Sequence, residues 1–336
     1  VLAVVGEDPA PWLAPLAEHV AASGVALVLV RERGVSEARV ARTLRAWSPE
    51  VRAATVALPI AVDTVWARDW GPLAQLGAGA PRWLDADYLH GRPLDEAAAP
   101  AITAALAPDA AARIDAVVHG GAIAADGAGL CVATEGFAAA ARWPTPIEPA
   151  HAQFVAALGC TRLVLVPGLE REPTQHVDLL VQFVAGARVM VAAIEPSAIA
   201  RTPAHERDAI ARDAAALDRV AAQLEADATG QGQPLELVRV PLRWRDGVNV
   251  QSWINGLRLP DRFVAPSFRR AGAPEPEETR AMQALVRALA PFPVERVDVG
   301  ELGLLGGAIH CVTLGLHGAP APAAAAGDPT AALAPG

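Results

Sequence analysis

Lysine is absent from these 336 residues, so all 28 basic side chains are arginine. With the abundance of alanine, that composition reflects GC-rich coding and needs no functional explanation. The arginines form no basic run, the formal net charge is −9 and the isoelectric point is about 5.4. An acidic chain without basic stretches excludes nucleic acid as the expected partner and suits a small cationic substrate. No uncharged apolar run reaches the roughly 18 residues of a membrane span, so none is expected. Cysteine is scarce: Cys131, Cys160 and Cys311 cannot all pair within the chain, and their spacing fits no zinc site. A disulfide scaffold is therefore not expected, and Cys131 and Cys160, with no polar motif around either, read as inert buried thiols. Also missing are a phosphate-cradling glycine loop between strand and helix, a G-x-S-x-G elbow and any metal-ligand cluster. The chain starts at Val1 inside a strand-like run. That start suggests that something has been removed ahead of it, and localisation stays unassigned.

What is present begins with enough apolar residue, 52%, to bury a large core. Short β-branched runs at 1–5 and 25–30 flank an alanine-rich helical pattern at 11–22, a β-α-β opening. Further helices are predicted at 36–47, 95–107, 148–158, 203–227 and 275–290, the fourth of these being the most clearly amphipathic. Strands are predicted at 114–118, 129–133, 162–166, 177–184, 188–194, 236–240, 249–254, 262–265, 294–298 and 309–314. This alternation is that of an α/β or α+β protein. Gly120-Gly121-Ala122-Ile123 is repeated as Gly306-Gly307-Ala308-Ile309, each copy leading towards a cysteine, which suggests one supersecondary unit used more than once. No break appears at mid-chain, so residues 1–317 read as one repeat-built domain. The Ala/Pro/Gly stretch 318–336 reads as a disordered tail.

Three segments hold chemistry-bearing residues. In Trp66-Ala67-Arg68-Asp69-Trp70-Gly71-Pro72, a carboxylate between two indoles would attract a cation more strongly than one in water. The same segment also reads as a surface Arg68–Asp69 pair beside core tryptophans. In Thr174-Gln175-His176-Val177-Asp178, a strand would point His176 and Asp178 to one face, suited to proton transfer beside a bound cation. A strand-edge pair satisfied by backbone is the alternative. In His310-Cys311-Val312-Thr313, a strand would point His310 away from Cys311, so the thiol would need a distant base or a cationic setting to ionise. A buried, inert cysteine is the other reading. His119 reads as structural, and His19, His151 and His205 as solvated helix positions.

The order of these pieces is more specific than any one of them. W-x-R-D-x-G-P at 66–72, Gly-Gly-Ala-Ile with its Asp126-Gly127 turn at 120–127, His-Val-Asp at 176–178, Asn255-Gly256 and G-G-x-I-H-C-V-T at 306–313 follow one another. Together they resemble the agmatine deiminase and Porphyromonas-type peptidylarginine deiminase family across residues 1–317. The resemblance implies a pentein fold, a five-bladed α/β propeller of ββαβ repeats with pseudo-fivefold symmetry. It also implies a cysteine-dependent hydrolase. Asp69 and Asp178 would grip the guanidinium, His176 would be general acid and base, and Cys311 the nucleophile. Trp66, Arg68, Trp253 and Asn255 would line the site, with Trp253 also readable as core.

A guanidinium is resonance-stabilised and charged, and its carbon is a poor electrophile. Two carboxylates can hold its N–H fork and present the carbon to a thiolate, which the substrate's own charge favours. No metal or organic cofactor is needed, and the expected partner is a small guanidino compound or an arginine-containing peptide. Two departures bear on the substrate. His119 stands where many agmatine deiminases have glutamate, and Ala122 and Ala308 stand where many relatives have asparagine. Trp70, the acidic Asp85-Ala86-Asp87-Tyr88 and the following Arg92-Pro93-Leu94-Asp95 favour the peptidylarginine branch. Agmatine hydrolysis, amidino transfer and a catalytically silent, cation-binding pentein are the competing expectations.

Overall fold

In the computed structural model the residues described are 1–6, 10–75, 82–88, 91–184, 187–232, 235–245, 249–268 and 276–317. The tail expected at 318–336 lies outside them. Among the described residues the strands form five small sheets, four of three strands and one of four. The chain divides into two compact units. One comprises Val1–Gly120, Leu259–Asp261 and the chain from Cys311; the other comprises Gly121–Arg258 and Arg262–His310.

The first unit holds two sheets. Strand β1 (Leu2–Val5), helix α1 (Leu13–Ala22), β2 (Leu27–Glu32), α2 (Glu37–Arg45), α3 (Pro49–Ala53) and β3 (Thr55–Val62) follow in order, and the three strands pair in parallel. The helix starts are encoded locally. The Ser36 hydroxyl accepts the Arg39 N–H and the Ser48 hydroxyl accepts the Val51 N–H, with Pro49 at the first helical position. Leu314 adds an antiparallel bridge to Leu2 at the sheet's edge. The second sheet follows α4 (Ala67–Trp70). Its β4 (Leu73–Gln75) and β5 (Arg82–Asp87) are antiparallel, and α5 (Pro93–Glu96) and α6 (Ala98–Leu106) cross over to β6 (Ala111–Val117), parallel to β5. Alternate residues Leu2, Val4, Val28 and Val30 face one way and pack with Trp70, Trp83, Ile102 and Leu314. Each such side chain contributes roughly 1.5–3 kcal/mol by leaving water.

The second unit repeats the same motif three times, a hairpin followed by a helical crossover into a parallel neighbour. It comprises β7 (Ala124–Ala125), β8 (Leu130–Thr134), α7 (Glu135–Ala140), α8 (His151–Ala157) and β9 (Arg162–Val166). Next come β10 (Val181–Phe183), β11 (Arg188–Ala193), α9 (Pro196–Arg201), α10 (Ala204–Gly230), β12 (Glu236–Arg245) and β13 (Asn249–Ser252). The last set is β14 (Leu257–Arg258), β15 (Phe263–Ser267), α11 (Pro276–Leu289) and β16 (Val294–Asp298). Helix α10 buries Ile210, Leu217, Val220, Leu224 and Ala228, a stripe at helical spacing. Asp213 lies on the same stripe and accepts the Glu170 N–H at 2.7 Å, which ties down the loop that leads to His176.

Three expectations need correction. Cys131 and Cys160 are not inert thiols but a disulfide, with Cα atoms 5.9 Å apart. Parallel pairing of β8 with β9 sets Cys131 opposite Leu163 and carries Cys160 alongside, a proximity that a separation of 29 residues hides. The strand predicted at 177–184 opens with a 3-10 turn, Val177–Leu179, and only Val181–Phe183 pairs. The segment 309–314 is a series of turns with a single bridge at Leu314, not a strand. The short strands β4, β7 and β14 escaped prediction because two or three residues carry too little periodicity to register, and β5 because an arginine and two aspartates interrupt its apolar run.

Candidate active site

Within the first unit, the tryptophan-flanked segment is a single turn of helix. Trp66 ends the preceding chain, and its carbonyl accepts the Asp69 N–H at 3.0 Å. Trp70 goes into the core while Trp66, Arg68 and Asp69 stay half-buried. The Arg68 N–H donates to the Cys311 carbonyl at 3.1 Å, so the two motifs farthest apart in sequence are joined backbone to backbone. Cys311 is 6% exposed, and the following Val312 and Thr313 are fully buried. Gly120 has to be glycine in this setting, because a Cβ would strike the Arg68 carbonyl.

Charge in this unit is felt at Tyr88, the only tyrosine of the chain. Burial pushes its hydroxyl far above the ordinary tyrosine value, the Asp69 carboxylate adds to the shift, and Arg92 opposes it. Arg92 donates to the Tyr88 hydroxyl at 3.1 Å. His119, where many agmatine deiminases have glutamate, is buried against the Tyr88 ring, with its Nε2 3.2 Å from the Tyr88 carbonyl. The acidic Asp85 and Asp87 are engaged by Arg113 across β5 and β6.

Within the second unit, His176 and Asp178 sit on the 3-10 turn and not along a strand, so the face-sharing argument does not apply to them. His176 is the extended residue ahead of that turn. Its neighbour Gln175 takes a left-handed conformation, φ 55°. The Gln175 amide donates to the Leu169 carbonyl at 2.7 Å, and its Oε1 occupies space that Gly136 and Gly168 leave open. Glu172 is buried and accepts the Thr174 N–H and hydroxyl and the His176 N–H. The Thr134 hydroxyl, which caps α7, donates to the Gln175 carbonyl at 2.5 Å. The His176 ring lies 5.7 Å from that of Phe137.

Asp178 is 3% exposed, and its Oδ2 is 2.7 Å from Nδ1 of His310. Asn255, with no exposed surface, binds both neighbours. Its amide donates to the Asp178 carbonyl at 3.4 Å, its side-chain oxygen accepts the Ala308 N–H, and its backbone carbonyl accepts the His310 N–H. Trp253 is fully buried, edge-on to Phe268 with the Arg243 guanidinium over its ring. That is a core position and not an exposed lining one. Ala122 and Ala308 are likewise buried.

The first unit thus brings together Trp66, Arg68, Asp69 and Cys311; the second brings together Asp178 and Asn255, with His176 two residues from Asp178. Sequence reasoning missed His310, Glu172 and Gln175 as supports. Only the His310-Cys311 dipeptide carried a signal, and it named no partner for His310. Among the described residues no group of three or more His, Cys, Asp or Glu side chains is placed to hold a metal.

Solved structures share this fold. Agmatine deiminase of Enterococcus faecalis is 18% identical with a TM-score of 0.70, over 93% of this chain and 91% of that one. Agmatine deiminase of C. jejuni is 13% identical with a TM-score of 0.66, over 93% and 90%. A Porphyromonas gingivalis protein proposed to be an arginine deiminase is 18% identical with a TM-score of 0.74, over 95% and 96%. At these identities the likeness is one of fold. No curated protein matches the chain by sequence. The family match defines the class: a deiminase, which is a hydrolase of carbon–nitrogen bonds. The chain belongs to the Porphyromonas-type peptidyl-arginine deiminase family, whose model matches residues 7–316.

Proposed function

We propose that this chain hydrolyses the guanidinium of arginine, peptidyl or free, to a ureido group and ammonia through a covalent intermediate on Cys311. The observation that supports this most is the backbone bond between Arg68 and Cys311, which keeps a buried cysteine and the Asp69 carboxylate in one compact unit. The disulfide removes Cys131 and Cys160 from consideration as nucleophiles. The same proposal takes the five sheets as the five ββαβ-like units of a pentein, with residues 1–317 as its catalytic part.

In this reading Asp69 and Asp178 hold the guanidinium through charge-assisted hydrogen bonds, and Trp66 and Arg68 contact the substrate beside Asp69. The Cys311 thiolate adds to the guanidinium carbon. His176 protonates the departing nitrogen, ammonia leaves, and a thiouronium remains on the sulfur. Water, deprotonated by His176, adds to that carbon, and collapse of the adduct frees the ureido product and the thiol. Asn255, wholly buried, supports the Asp178 turn through its bond to the Asp178 carbonyl, and Trp253 keeps a core position.

The test is ammonia release from an arginine-containing peptide, arginine and agmatine by wild type and Cys311→Ser. The wild type is expected to prefer arginine substrates, and the variant to lose about 10³-fold or more in kcat. Undiminished turnover by the variant refutes the nucleophile. A preference for agmatine, with N-carbamoylputrescine as product, transfers the assignment to that substrate. Amidino transfer to added glycine or ornithine makes the chain a transferase. Silence on every guanidino compound, with calorimetric binding intact, leaves a ligand-binding pentein.

A further inference from the structure

We infer that His310 is a positioning residue whose imidazole fixes the orientation of the Asp178 carboxylate; this rests on the reading in which Asp178 grips the guanidinium. The observation is the 2.7 Å contact from His310 Nδ1 to Asp178 Oδ2, between residues 132 apart in sequence. Asp178 is 3% exposed, so its charge has little water to satisfy it and depends on donors supplied by the fold. An ionised carboxylate only accepts hydrogen bonds, so Nδ1 carries the proton in this contact, and the tautomer of His310 is set. With Oδ2 held, the carboxylate plane is held, and with it the direction from which a guanidinium fork can be met.

The imidazole is itself well anchored. The His310 N–H donates to the Asn255 carbonyl at 3.1 Å, and the Asn255 side chain bonds both the Asp178 carbonyl and the Ala308 N–H. One fully buried asparagine therefore sets the spacing between the turn bearing Asp178 and the loop bearing His310. Gly306, at φ 81°, provides the left-handed turn that opens this loop. The residue before Cys311 is therefore directed, through Nδ1, at the Asp178 carboxylate.

The experiment compares kcat and KM for an arginine-containing peptide in wild type, His310→Ala, His310→Asn and Cys311→Ala. His310→Ala is expected to raise KM about tenfold or more, the scale of one hydrogen bond to a charged group. His310→Asn is expected to restore most of that loss, because its side-chain amide can stand where Nδ1 stands. A merely structural role would leave the two variants alike. His310→Ala kinetics within twofold of wild type, or no rescue by His310→Asn, overturn the inference. Activity persisting in Cys311→Ala overturns the underlying reading instead. Should His310→Ala not fold, proton NMR of the wild type decides. A far-downfield Nδ1–H resonance, lost in Asp178→Asn, is expected, and a wild-type spectrum without it overturns the pairing.

Discussion

At Gly120 the backbone approaches so closely that a methyl group would meet the Arg68 carbonyl and the side chain of Leu73. Arg68 is also the residue whose N–H holds Cys311. Gly120→Ala is therefore expected to cost about 1–3 kcal/mol of stability and to lower kcat/KM as well. Thermal unfolding and ammonia release check both, and wild-type values of each would contradict the account. The glycine pair was visible in the sequence as a repeated tetrapeptide, but its reason was not. The atom it makes room for belongs to a residue 52 positions earlier, which no local pattern reports. His310 failed to register for a related reason. The strand reading set it on the face opposite Cys311 without naming a partner, and a series of turns brings it to Asp178.

Between elements, the turn after β3 and the start of α5 hold one another through two carboxylates. Asp95, fully buried, accepts the Asp63 and Thr64 N–H groups and the Thr64 hydroxyl, while Asp63 accepts the Leu94 N–H. Burial raises the Asp95 carboxyl above its ordinary value of about 3.8, against the hydrogen bonds that lower it. A raised value means that the folded chain binds this proton more tightly than the unfolded chain. The contribution of Asp95 to stability is then fullest below about pH 3.8 and declines as pH rises through the raised value. Asp95→Asn keeps an acceptor for the two N–H groups and removes the buried charge. Its Tm relative to wild type is expected to be more favourable at about pH 8 than at about pH 3. A Tm difference independent of pH would contradict this. Helices such as α10 were legible from their periodicity, and α2 and α3 carry serine caps that mark their starts. The turn at Val177–Leu179 was not legible, because it is held by Ser252, Asn255 and His310 contacts made from outside the segment.

For the molecule as a whole, the Cys131–Cys160 disulfide closes a loop across β8 and β9. Cys131→Ser is expected to lower stability by about 2–4 kcal/mol, by the loop-closure argument for such a cross-link. Denaturant unfolding checks the magnitude. Thiol labelling of the denatured chain should rise from one site to three on reduction. Three sites without reductant would contradict the bond. The α/β class and the ordered motifs were legible in the sequence alone, because periodicity and motif order are properties of the chain itself. Which cysteines bond, which histidine reaches Asp178, and which side chains stand behind the site were decided only by tertiary structure. Those facts depend on strand register and on turns that set residues of distant sequence side by side, a proximity that residue types cannot express.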